Sequence, residues 1–149
     1  MRQECAHNWS AVYDTFIQTE DAFYDVVSFN LRFEGFSGVK SLYEAIESTF
    51  PDFQITVWGE NDVPGCSVRE IAITATHKGA WCGFAGTGRP VKVHLGILYL
   101  FGVGEPAGKL LAERIYFDNE SLMQQIRGER NAESVTDFSR LHAHTARAV

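Results

Sequence analysis

One strand-like segment of the sequence carries residues suited to acid/base chemistry. Arg114, Tyr116 and Asp118 alternate with apolar residues, so on a β-strand they would share one face. Such a face either contacts solvent or lines a polar pocket. A carboxylate in a water-poor pocket becomes a stronger base toward a carbon acid, which makes Asp118 a candidate catalytic residue. Asp118 also precedes a short segment with helical periodicity and is suited to cap a helix there; the two roles can coexist.

Two histidines and two tryptophans are candidates for contact with a substrate. His77 lies on a predicted strand, where it could position a substrate or stabilise a developing enolate, or be a hydrogen-bonded histidine within the sheet. His94 lies on another predicted strand. Trp58 and Trp81 would suit a polycyclic ligand, although aromatic side chains also fill protein cores. Arg114 could likewise be an ordinary surface charge.

Composition limits the kind of protein this can be. The chain has 149 residues, a net charge of −6 and a pI near 5.3, which fit one domain and argue against a nucleic-acid or anionic-membrane partner. A small-molecule partner is expected instead. Its cysteines, Cys5, Cys66 and Cys82, lack CxxC spacing, which predicts no disulfide framework and no zinc site. Without a signal-like segment or a long apolar run, we expect a cytoplasmic protein.

Apolar periodicity predicts two helices before the main strands. Residues 8–17 carry apolar side chains at helical spacing, and the same spacing recurs over residues 37–50. In the second helix Ser41 and Glu44 are spaced as a capping box, and Pro51 ends the helix. The intervening residues 21–36 are aromatic and irregular. We expect them to form a wall or lid of a cavity, with a candidate strand over residues 24–29.

Period-two alternation predicts four strands, over residues 53–58, 68–81, 91–101 and 109–118. Residues 102–108 are too short for a crossover helix, so the last two strands should be antiparallel neighbours. The glycine-rich residues 83–90 lack the Lys-Ser/Thr ending of a phosphate loop and lead into a strand rather than a helix. They therefore predict a hairpin loop.

Helices followed by a meander of strands predict an α+β domain over residues 1–128. In this arrangement a curved antiparallel sheet wraps around the N-terminal helices and leaves a central cavity as the ligand site. Residues 129–149 form a tail with a weak amphipathic pattern at Val135, Phe138 and Leu141. We expect the tail to be a loosely docked helix or a partner-binding arm that adds little to the core.

Five short motifs occur in an order and spacing that resemble one known family. They are Phe50-Pro51-Asp52, Ala75-Thr76-His77-Lys78-Gly79, Gly86-Thr87-Gly88-Arg89-Pro90-Val91, Gly108-Lys109-Leu110 with Glu113 to Asp118, and Gln124-Gln125. Together they resemble the SnoaL-like polyketide cyclase (ester cyclase) family of the NTF2-like superfamily. The resemblance covers residues 37–128.

This resemblance implies an NTF2-like cone and cofactor-free acid/base catalysis on a small hydrophobic, oxygenated, polyketide-like molecule, with an aldol-type ring closure. Asp118 matches the family's acid/base aspartate and His77 its motif histidine, so both are predicted to be catalytic and to face one cavity. The predicted substrate-binding residues are Arg114, Tyr116, His94, Trp58 and Trp81. No metal, nucleotide or other cofactor is implied. A homodimer through the outer sheet face is expected from the family.

Two alternatives stay open. The first is another acid/base reaction on the same fold, namely isomerisation, dehydration or hydrolysis. Epoxide opening is disfavoured, because epoxide hydrolases of this fold use an aspartate on the neighbouring strand and residues 91–101 carry none. The second is a non-catalytic module that binds a small molecule or dimerises. A cavity filled by bulky side chains, or an Asp118 turned to solvent, would favour the second.

Overall fold

The protein folds as one curved six-stranded sheet with helices packed on one side. The computed structural model describes residues 2–102 and 108–139. The helices are α1 (Arg2–Cys5), α2 (Trp9–Tyr13), α3 (Gly35–Thr49) and α4 (Asn119–Arg127). The strands are β1 (Phe23–Val26), β2 (Leu31–Glu34), β3 (Gln54–Val63), β4 (Cys66–Thr76), β5 (Pro90–Phe101) and β6 (Leu110–Phe117). Two 3₁₀ turns complete the described elements, at Val27–Phe29 and Ala132–Ser134.

The strand order is β2-β1-β6-β5-β4-β3. This confirms the predicted α+β class with a curved, unclosed sheet. The prediction of a purely antiparallel sheet was wrong for one pair of strands: β1 runs parallel to β6, while the other neighbouring strands are antiparallel. The two parallel strands are separated by most of the chain, so no hairpin constrains their direction. A β-bulge between Val57 and Gly59 interrupts the β3–β4 register and bends the sheet there.

The second predicted helix is confirmed as α3, and its capping is not. The helix begins at Gly35 and ends before Phe50 and Pro51. The predicted capping box is wrong: the Ser41 hydroxyl donates to the carbonyl of Ser37 within the helix, and the residue at the N-cap, Glu34, makes no side-chain capping bond. The apolar stripe, including Val39, Leu42 and Tyr43, is buried as the periodicity requires.

The first predicted helix ends early. Helix α2 stops at Tyr13, although helical spacing continued to Ile17. Phe16 instead forms a β-bridge with Leu110, and the Ile17 N–H donates to the Leu110 carbonyl at 2.9 Å. Pairing with the start of β6 therefore overrides local helix propensity. Helix α1 was not predicted.

The strands differ from the predicted spans mainly at their ends. Strand β3 continues to Val63 and turns at Pro64-Gly65, rather than ending at residue 58; Gly65 has a φ of 79°, which glycine adopts at little cost. Strand β4 stops at Thr76 rather than at residue 81; at this end the carboxylate of Asp52 accepts bonds from the Thr76 N–H and hydroxyl. Strand β2 was missed inside the aromatic segment. Strands β5 and β6 match their predicted spans within one residue at each end, and helix α4 begins directly after Asp118, at the predicted cap.

The sheet has a helix-side face and an outer face. The helix-side face carries the odd-numbered residues of β5 and β6, such as Ile97 and Ile115, which are buried in the main core. The outer face carries the even-numbered residues, except Leu110, which precedes a register shift between β5 and β6 and lies in the main core. Helix α4 closes one end of the helix side through Leu122 and Ile126, which pack in a second core cluster. No helix in the described residues combines the length and apolar character needed to cross a membrane.

The described part of the C-terminal tail lies against the outer face. Phe138 is 47% exposed and packs its ring 5.2 Å from that of His94 and 6.4 Å from that of Trp58. Over residues 129–139 the tail contains a 3₁₀ turn at Ala132–Ser134, and Ser139 is helical. Leu141 and the rest of the predicted tail helix, residues 140–149, lie outside the described residues, as do residues 103–107.

Candidate active site

A cavity of about 390 Å³ opens on the helix-side face between the N-terminal helices and the sheet. Its wall includes Val12 of α2, Tyr43 of α3, Tyr99 of β5 and Glu113 of β6. A cavity of this size falls within the range used for small-molecule sites. It is the central cavity that the sequence predicts, although the predicted catalytic residues are not in its wall.

Glu113 is the buried carboxyl group of this cavity. Strand alternation places it between Leu111 and Ile115 on the helix-side face, where it is 2% exposed. Tyr24 lies beside it on the parallel strand β1 and donates its hydroxyl to Glu113 Oε1 at 2.9 Å. The hydroxyl of Tyr43 lies 2.8 Å from Glu113 Oε2. Both carboxyl oxygens therefore have a phenol partner, which satisfies a polar group that would otherwise be costly to bury.

Burial shifts the protonation of this cluster. Desolvation, with a smaller contribution from nearby Glu4, raises the pKa of Glu113 to about 8, while the hydrogen bonds from Tyr43 and Tyr24 lower it. Burial also raises the pKa of both tyrosines well above its usual value, so they remain neutral hydrogen-bond donors. A carboxyl group that gains and loses its proton near neutral pH, inside a cavity, is suited to general acid/base chemistry.

A second carboxyl group reaches the same cluster from α1. Glu4 is 7% exposed, and its Oε1 lies 3.0 Å from the Tyr43 hydroxyl. Arg69 of β4 also lines the cavity and pairs with Asp62 at 2.7 Å and Glu60 at 3.4 Å. The cavity thus has a buried acidic cluster and a paired arginine, and the rest of its wall mixes apolar side chains with polar ones such as Gln3, Thr15 and Ser67.

An apolar pocket of about 80 Å³ lies on the same face, toward α4. Its walls are apolar throughout and include Phe50, Ile73, Trp81 and Phe117. Trp81, predicted to bind substrate, belongs to this pocket, and its indole N–H donates to Asn119 Oδ1 at 3.2 Å. It does not border the cavity that contains Glu113.

Asp118 is exposed at the end of β6. Its carboxylate accepts the Ser121 N–H at 3.1 Å, which caps α4 and confirms the predicted capping role. The side chain borders a cleft on the outer face with Lys92, His94 and Arg130. The strand alternation ends at Phe117, so Asp118 is positioned by the turn into α4 and not by the sheet.

His77 lies on the helix side, buried against the ring of Phe50 at 5.9 Å. Its Nδ1 accepts the Thr87 N–H at 3.3 Å, which places the proton of a neutral ring on Nε2. Burial lowers its pKa. The prediction that His77 and Asp118 face one cavity is wrong, because His77 faces the core and Asp118 borders the outer-face cleft.

The other predicted substrate-binding residues lie on the outer face. Arg114 pairs with Asp25 at 2.8 Å, and Asp25 also pairs with Arg32 at 2.6 Å. Tyr116 is 44% exposed, so the polar face of β6 is the one in contact with solvent. The correction has a simple cause: the helices cover the face that carries Glu113, and the even-numbered residues point away from them.

Trp58 and His94 also face outward, with their rings 4.3 Å apart in a T-shaped arrangement. Both border a cleft of about 360 Å³ that Phe138 helps to form. Their predicted contact with a substrate in the central cavity is therefore wrong in its location. Trp58 follows Val57, which pairs with the core residue Ile71, so strand alternation places it on the outer face.

A model of the SnoaL-like polyketide cyclase family matches residues 2–126. The chain belongs to that family. The match begins in α1 and continues through most of α4, so it includes the elements that carry Glu4, Tyr24, Tyr43 and Glu113. A search of curated proteins gave no significant match.

Solved structures share the NTF2-like fold of this SnoaL-like chain. A candidate SnoaL-like polyketide cyclase from Jannaschia sp. CCS1 is 20% identical, with a TM-score of 0.69 over 79% of this chain and 78% of that one. AclR from Streptomyces galilaeus, described as a candidate hydroxylase, is 20% identical, with a TM-score of 0.70 over 85% and 89%. A Catenulispora acidiphila protein with a ketosteroid isomerase-like fold is 13% identical, with a TM-score of 0.63 over 85% of each chain. At such identities the likeness shows the fold.

Sequence reasoning missed the cluster around Glu113 in this SnoaL-like chain. One signal was present: Glu113 is the single charged residue between Leu111 and Ile115 on its strand face, and a lone carboxyl on an otherwise apolar face is unusual enough to indicate a special role. Tyr43 similarly sits within the apolar stripe of α3. Among the described residues, no three His, Cys, Asp or Glu side chains lie close enough together to hold a metal ion.

Proposed function

We propose that this chain is a cofactor-free acid/base enzyme that closes a ring in a small, hydrophobic, oxygenated polyketide-like molecule by an intramolecular aldol reaction. The observation that carries the proposal is Glu113, a carboxyl group with a pKa of about 8 and two phenol partners in the wall of a 390 Å³ cavity. Family membership supports the reaction class. No metal or nucleotide takes part in the proposed chemistry.

Glu113 acts first as a base. Its ionised form takes a proton from a carbon flanked by two carbonyl groups, and the C–H electron pair becomes an enolate. The enolate carbon then attacks a second carbonyl of the same molecule, so that a C–C bond forms and the C=O π bond opens to an alkoxide. Glu113, now protonated, returns the proton to that alkoxide. A carboxyl group whose pKa lies near the working pH suits both halves of this sequence.

The apolar walls and the tyrosines account for substrate preference. Val12, Phe101 and Leu110 line the cavity beside the acidic cluster, and Gln3, Thr15 and Ser67 add polar contacts to its wall. A hydrophobic molecule that carries several oxygens can therefore fill it while presenting a carbon acid to Glu113. Neutral phenols close to an enolate oxygen stabilise the charge that develops there. Tyr99 lies in the same wall as Tyr43 and adds a second phenol to the lining of the cavity.

We assign the acid/base role to Glu113 in place of Asp118 and His77. Asp118 is exposed and committed to the cap of α4, and an exposed carboxylate lacks the desolvation that strengthens a base. His77 is buried behind Phe50 with its Nδ1 engaged by Thr87. Neither residue borders the cavity of Glu113.

The experiment that tests this proposal measures proton abstraction without knowledge of the natural substrate. A panel of mono- and bicyclic β-keto esters in D₂O would be followed by NMR for exchange of the α-proton. We expect the wild-type protein to accelerate exchange, and Glu113→Gln to lose about 10²- to 10⁴-fold of that acceleration, the usual contribution of a general base.

Asp118→Asn is the matched control, since it also neutralises one carboxylate of the same segment and keeps the capping oxygen. We expect its exchange rate to stay within a few-fold of the wild type. A folded Glu113→Gln protein with the wild-type rate would overturn the assignment. Failure of the wild type to accelerate exchange for every member of the panel would argue against carbon-acid chemistry.

A second candidate function is a non-catalytic module that binds a small molecule. The observation that favours it is the exposure of Asp118, the residue that matches the family's acid/base position. Such a module would bind members of the panel in a calorimetric titration without accelerating exchange. The homodimer and the cytoplasmic location remain predictions, and sedimentation of the full chain would test the first.

A further inference from the structure

One phenol hydroxyl bridges two buried carboxyl groups in the central cavity. The Tyr43 oxygen lies 2.8 Å from Glu113 Oε2 and 3.0 Å from Glu4 Oε1. The three side chains come from α3, β6 and α1, so the tertiary fold alone brings them together. Glu113 is 2% exposed and Glu4 7%, which leaves solvent little access to either group.

The number of protons in this cluster follows from its geometry. Tyr43 has one hydroxyl proton and so makes one full donation at a time. The other contact becomes a hydrogen bond when the second carboxyl group is protonated and donates to the phenol oxygen. Two ionised carboxylates placed around one hydroxyl in a buried site would also repel each other. The arrangement is therefore most stable with a single proton on the two carboxyl groups.

We propose that Glu4 is the proton partner of Glu113, and that the two carboxyl groups share one proton through the Tyr43 hydroxyl. The use of this exchange in turnover rests on the proposed function, in which Glu113 is the acid/base. Glu4 acts through Tyr43 and Glu113 and is a positioning residue: it sets where the proton resides.

The exchange interconverts two forms of equal net charge. In one, the Glu113 carboxylic acid donates from Oε2 to Tyr43, and Tyr43 donates to ionised Glu4. When the Glu113 O–H bond breaks, its proton joins the Tyr43 oxygen while the former phenol proton moves to Glu4 Oε1. Glu113 is then ionised and ready to accept a substrate proton, and no proton has left the protein. The same shift in reverse supplies an acid.

Other titratable and charged groups face this cluster from the surrounding elements. Tyr24 of β1 donates to Glu113 Oε1 at 2.9 Å. Tyr99 of β5 and Arg69 of β4 line the same cavity, and Arg69 is held by Asp62 and Glu60. Glu4 is the second-largest cause of the raised pKa of Glu113, after burial, which agrees with direct coupling between the two carboxyl groups.

The test is a pH titration of the full chain labelled with ¹³C at glutamate carboxyl carbons, with no substrate present. The signals of Glu4 and Glu113 are assigned by their loss in Glu4→Gln and Glu113→Gln. In the singly protonated form, we expect both signals to lie between the acid and carboxylate positions, because the proton exchanges rapidly between them. One signal at each extreme would show a proton localised on a single carboxyl group and would overturn the proposal.

Glu4→Gln provides the second measurement. The amide of this variant retains a partner for Tyr43 but holds no exchangeable carboxyl proton, so the titration midpoint of Glu113 should fall by on the order of one pH unit. Glu60→Gln is the matched control, since Glu60 borders the same cavity but pairs with Arg69. In this variant the titration midpoint of Glu113 should equal that of the wild type. An unchanged midpoint in Glu4→Gln would also overturn the proposal.

These readouts separate the two proposals. The titration requires no turnover, so shared protonation in a protein that exchanges no α-proton would reject the proposed function and keep the proton partner. A protein that catalyses α-proton exchange but holds the proton on a single carboxyl group would keep the proposed function and reject the proton partner. Where both hold, the pH midpoint of α-proton exchange should fall in Glu4→Gln by the same amount as the NMR midpoint.

Discussion

Strand β6 and its end carry two carboxyl groups in opposite environments, Glu113 in the helix-side cavity and Asp118 on the outer-face cleft. They are five positions apart in the sequence. Glu113 is covered by α1 and α3 and bonded to two tyrosines. Asp118 is exposed and bonded to a backbone N–H. The same functional group thus becomes a proton donor and acceptor near neutral pH in one place, and a helix cap in the other.

The difference arises from what covers each group rather than from the residue type. Burial removes water that would stabilise the carboxylate, so the pKa of Glu113 rises to about 8. Asp25, on the outer face of β1, shows the reverse: its bond to Arg32 lowers its pKa. Variants that replace one of these carboxyl groups, or a residue bonded to it, therefore test the comparison directly.

The largest expected effect is the pH dependence of α-proton exchange. The ionised form of Glu113 is the base, and its pKa of about 8 sets the pH range over which the rate changes. In Glu4→Gln, where Glu113 holds its proton alone, the rate should rise about tenfold per pH unit below the midpoint, or roughly 50-fold over the two units up to it, and level off above it. In the wild type, where Glu4 holds the shared proton part of the time, the rise should be only about twofold. Rates measured from pH 5.5 to 9.5 test this expectation.

Asp118→Asn introduced into Glu4→Gln should retain that profile with the same midpoint. Loss of the profile there would reverse the comparison and return the base to the outer face. A flat profile in Glu4→Gln would exclude either carboxyl group as the titrating base.

The second effect is on stability. The pKa of Glu113 is raised from 4.5 to about 8 on folding, so between these pH values the folded state binds more protons than the unfolded state. Glu113 therefore contributes stability at low pH that is lost as the pH rises through about 8, with a slope of at most ~1.4 kcal/mol per pH unit.

Denaturant unfolding of the wild type and Glu113→Gln from pH 5 to pH 9 measures this contribution. The difference between the two proteins isolates Glu113 from His77 and His94, whose burial lowers their pKa and so adds the opposite slope below pH 6.5. Parallel curves for the two proteins would contradict a raised pKa for Glu113.

The fold was largely readable from the sequence, because it depends on local periodicity. Alternation over β5 and β6 and the apolar stripe of α3 predicted these elements, and the position of Asp118 predicted the cap of α4. What local patterns omit is which distant strand will pair. The parallel β1–β6 pair and the bridge from Phe16 to Leu110 depend on tertiary contacts, and both were missed.

The candidate site was less readable for the same reason. The alternation of side chains along β6 placed Glu113 on the face opposite Arg114 and Tyr116. It left open which of the two faces the helices cover. The choice depends on Tyr24 and Tyr43, which are 89 and 70 positions away from Glu113. A polar strand face drew attention to the outer side, whereas the site uses one carboxyl group on the apolar side. Motif matching reinforced that choice, since it pointed to Asp118.

The third effect concerns Tyr24, one of the two tyrosines bonded to Glu113. Tyr24→Phe removes one hydrogen bond that lowers the pKa of Glu113, so the midpoint of α-proton exchange should move above the wild-type value. Removal of a buried hydrogen bond to a carboxyl group should also cost about 1–3 kcal/mol of unfolding free energy.

Tyr116→Phe is the control on the opposite face, where the hydroxyl belongs to a 44% exposed residue. We expect stability to change by at most about 0.5 kcal/mol and the midpoint to remain constant. A midpoint that fell in Tyr24→Phe would show that its hydroxyl stabilises the protonated form of Glu113 and not the carboxylate.

The smallest effect concerns the cap itself. Asp118→Ala removes the acceptor of the Ser121 N–H and should lower the unfolding free energy by about 1 kcal/mol, whereas Asp118→Asn keeps an acceptor of the same size and should change it by a few tenths at most. If Asp118 serves only as a cap, both variants keep near-wild-type exchange rates wherever they are folded, and their stabilities differ as stated. If the two variants lost activity equally while differing in stability, the carboxylate itself would be required, and the outer-face cleft with Lys92, His94 and Arg130 would have to hold the reacting molecule. Thermal unfolding and exchange rates measured on the same samples distinguish these outcomes.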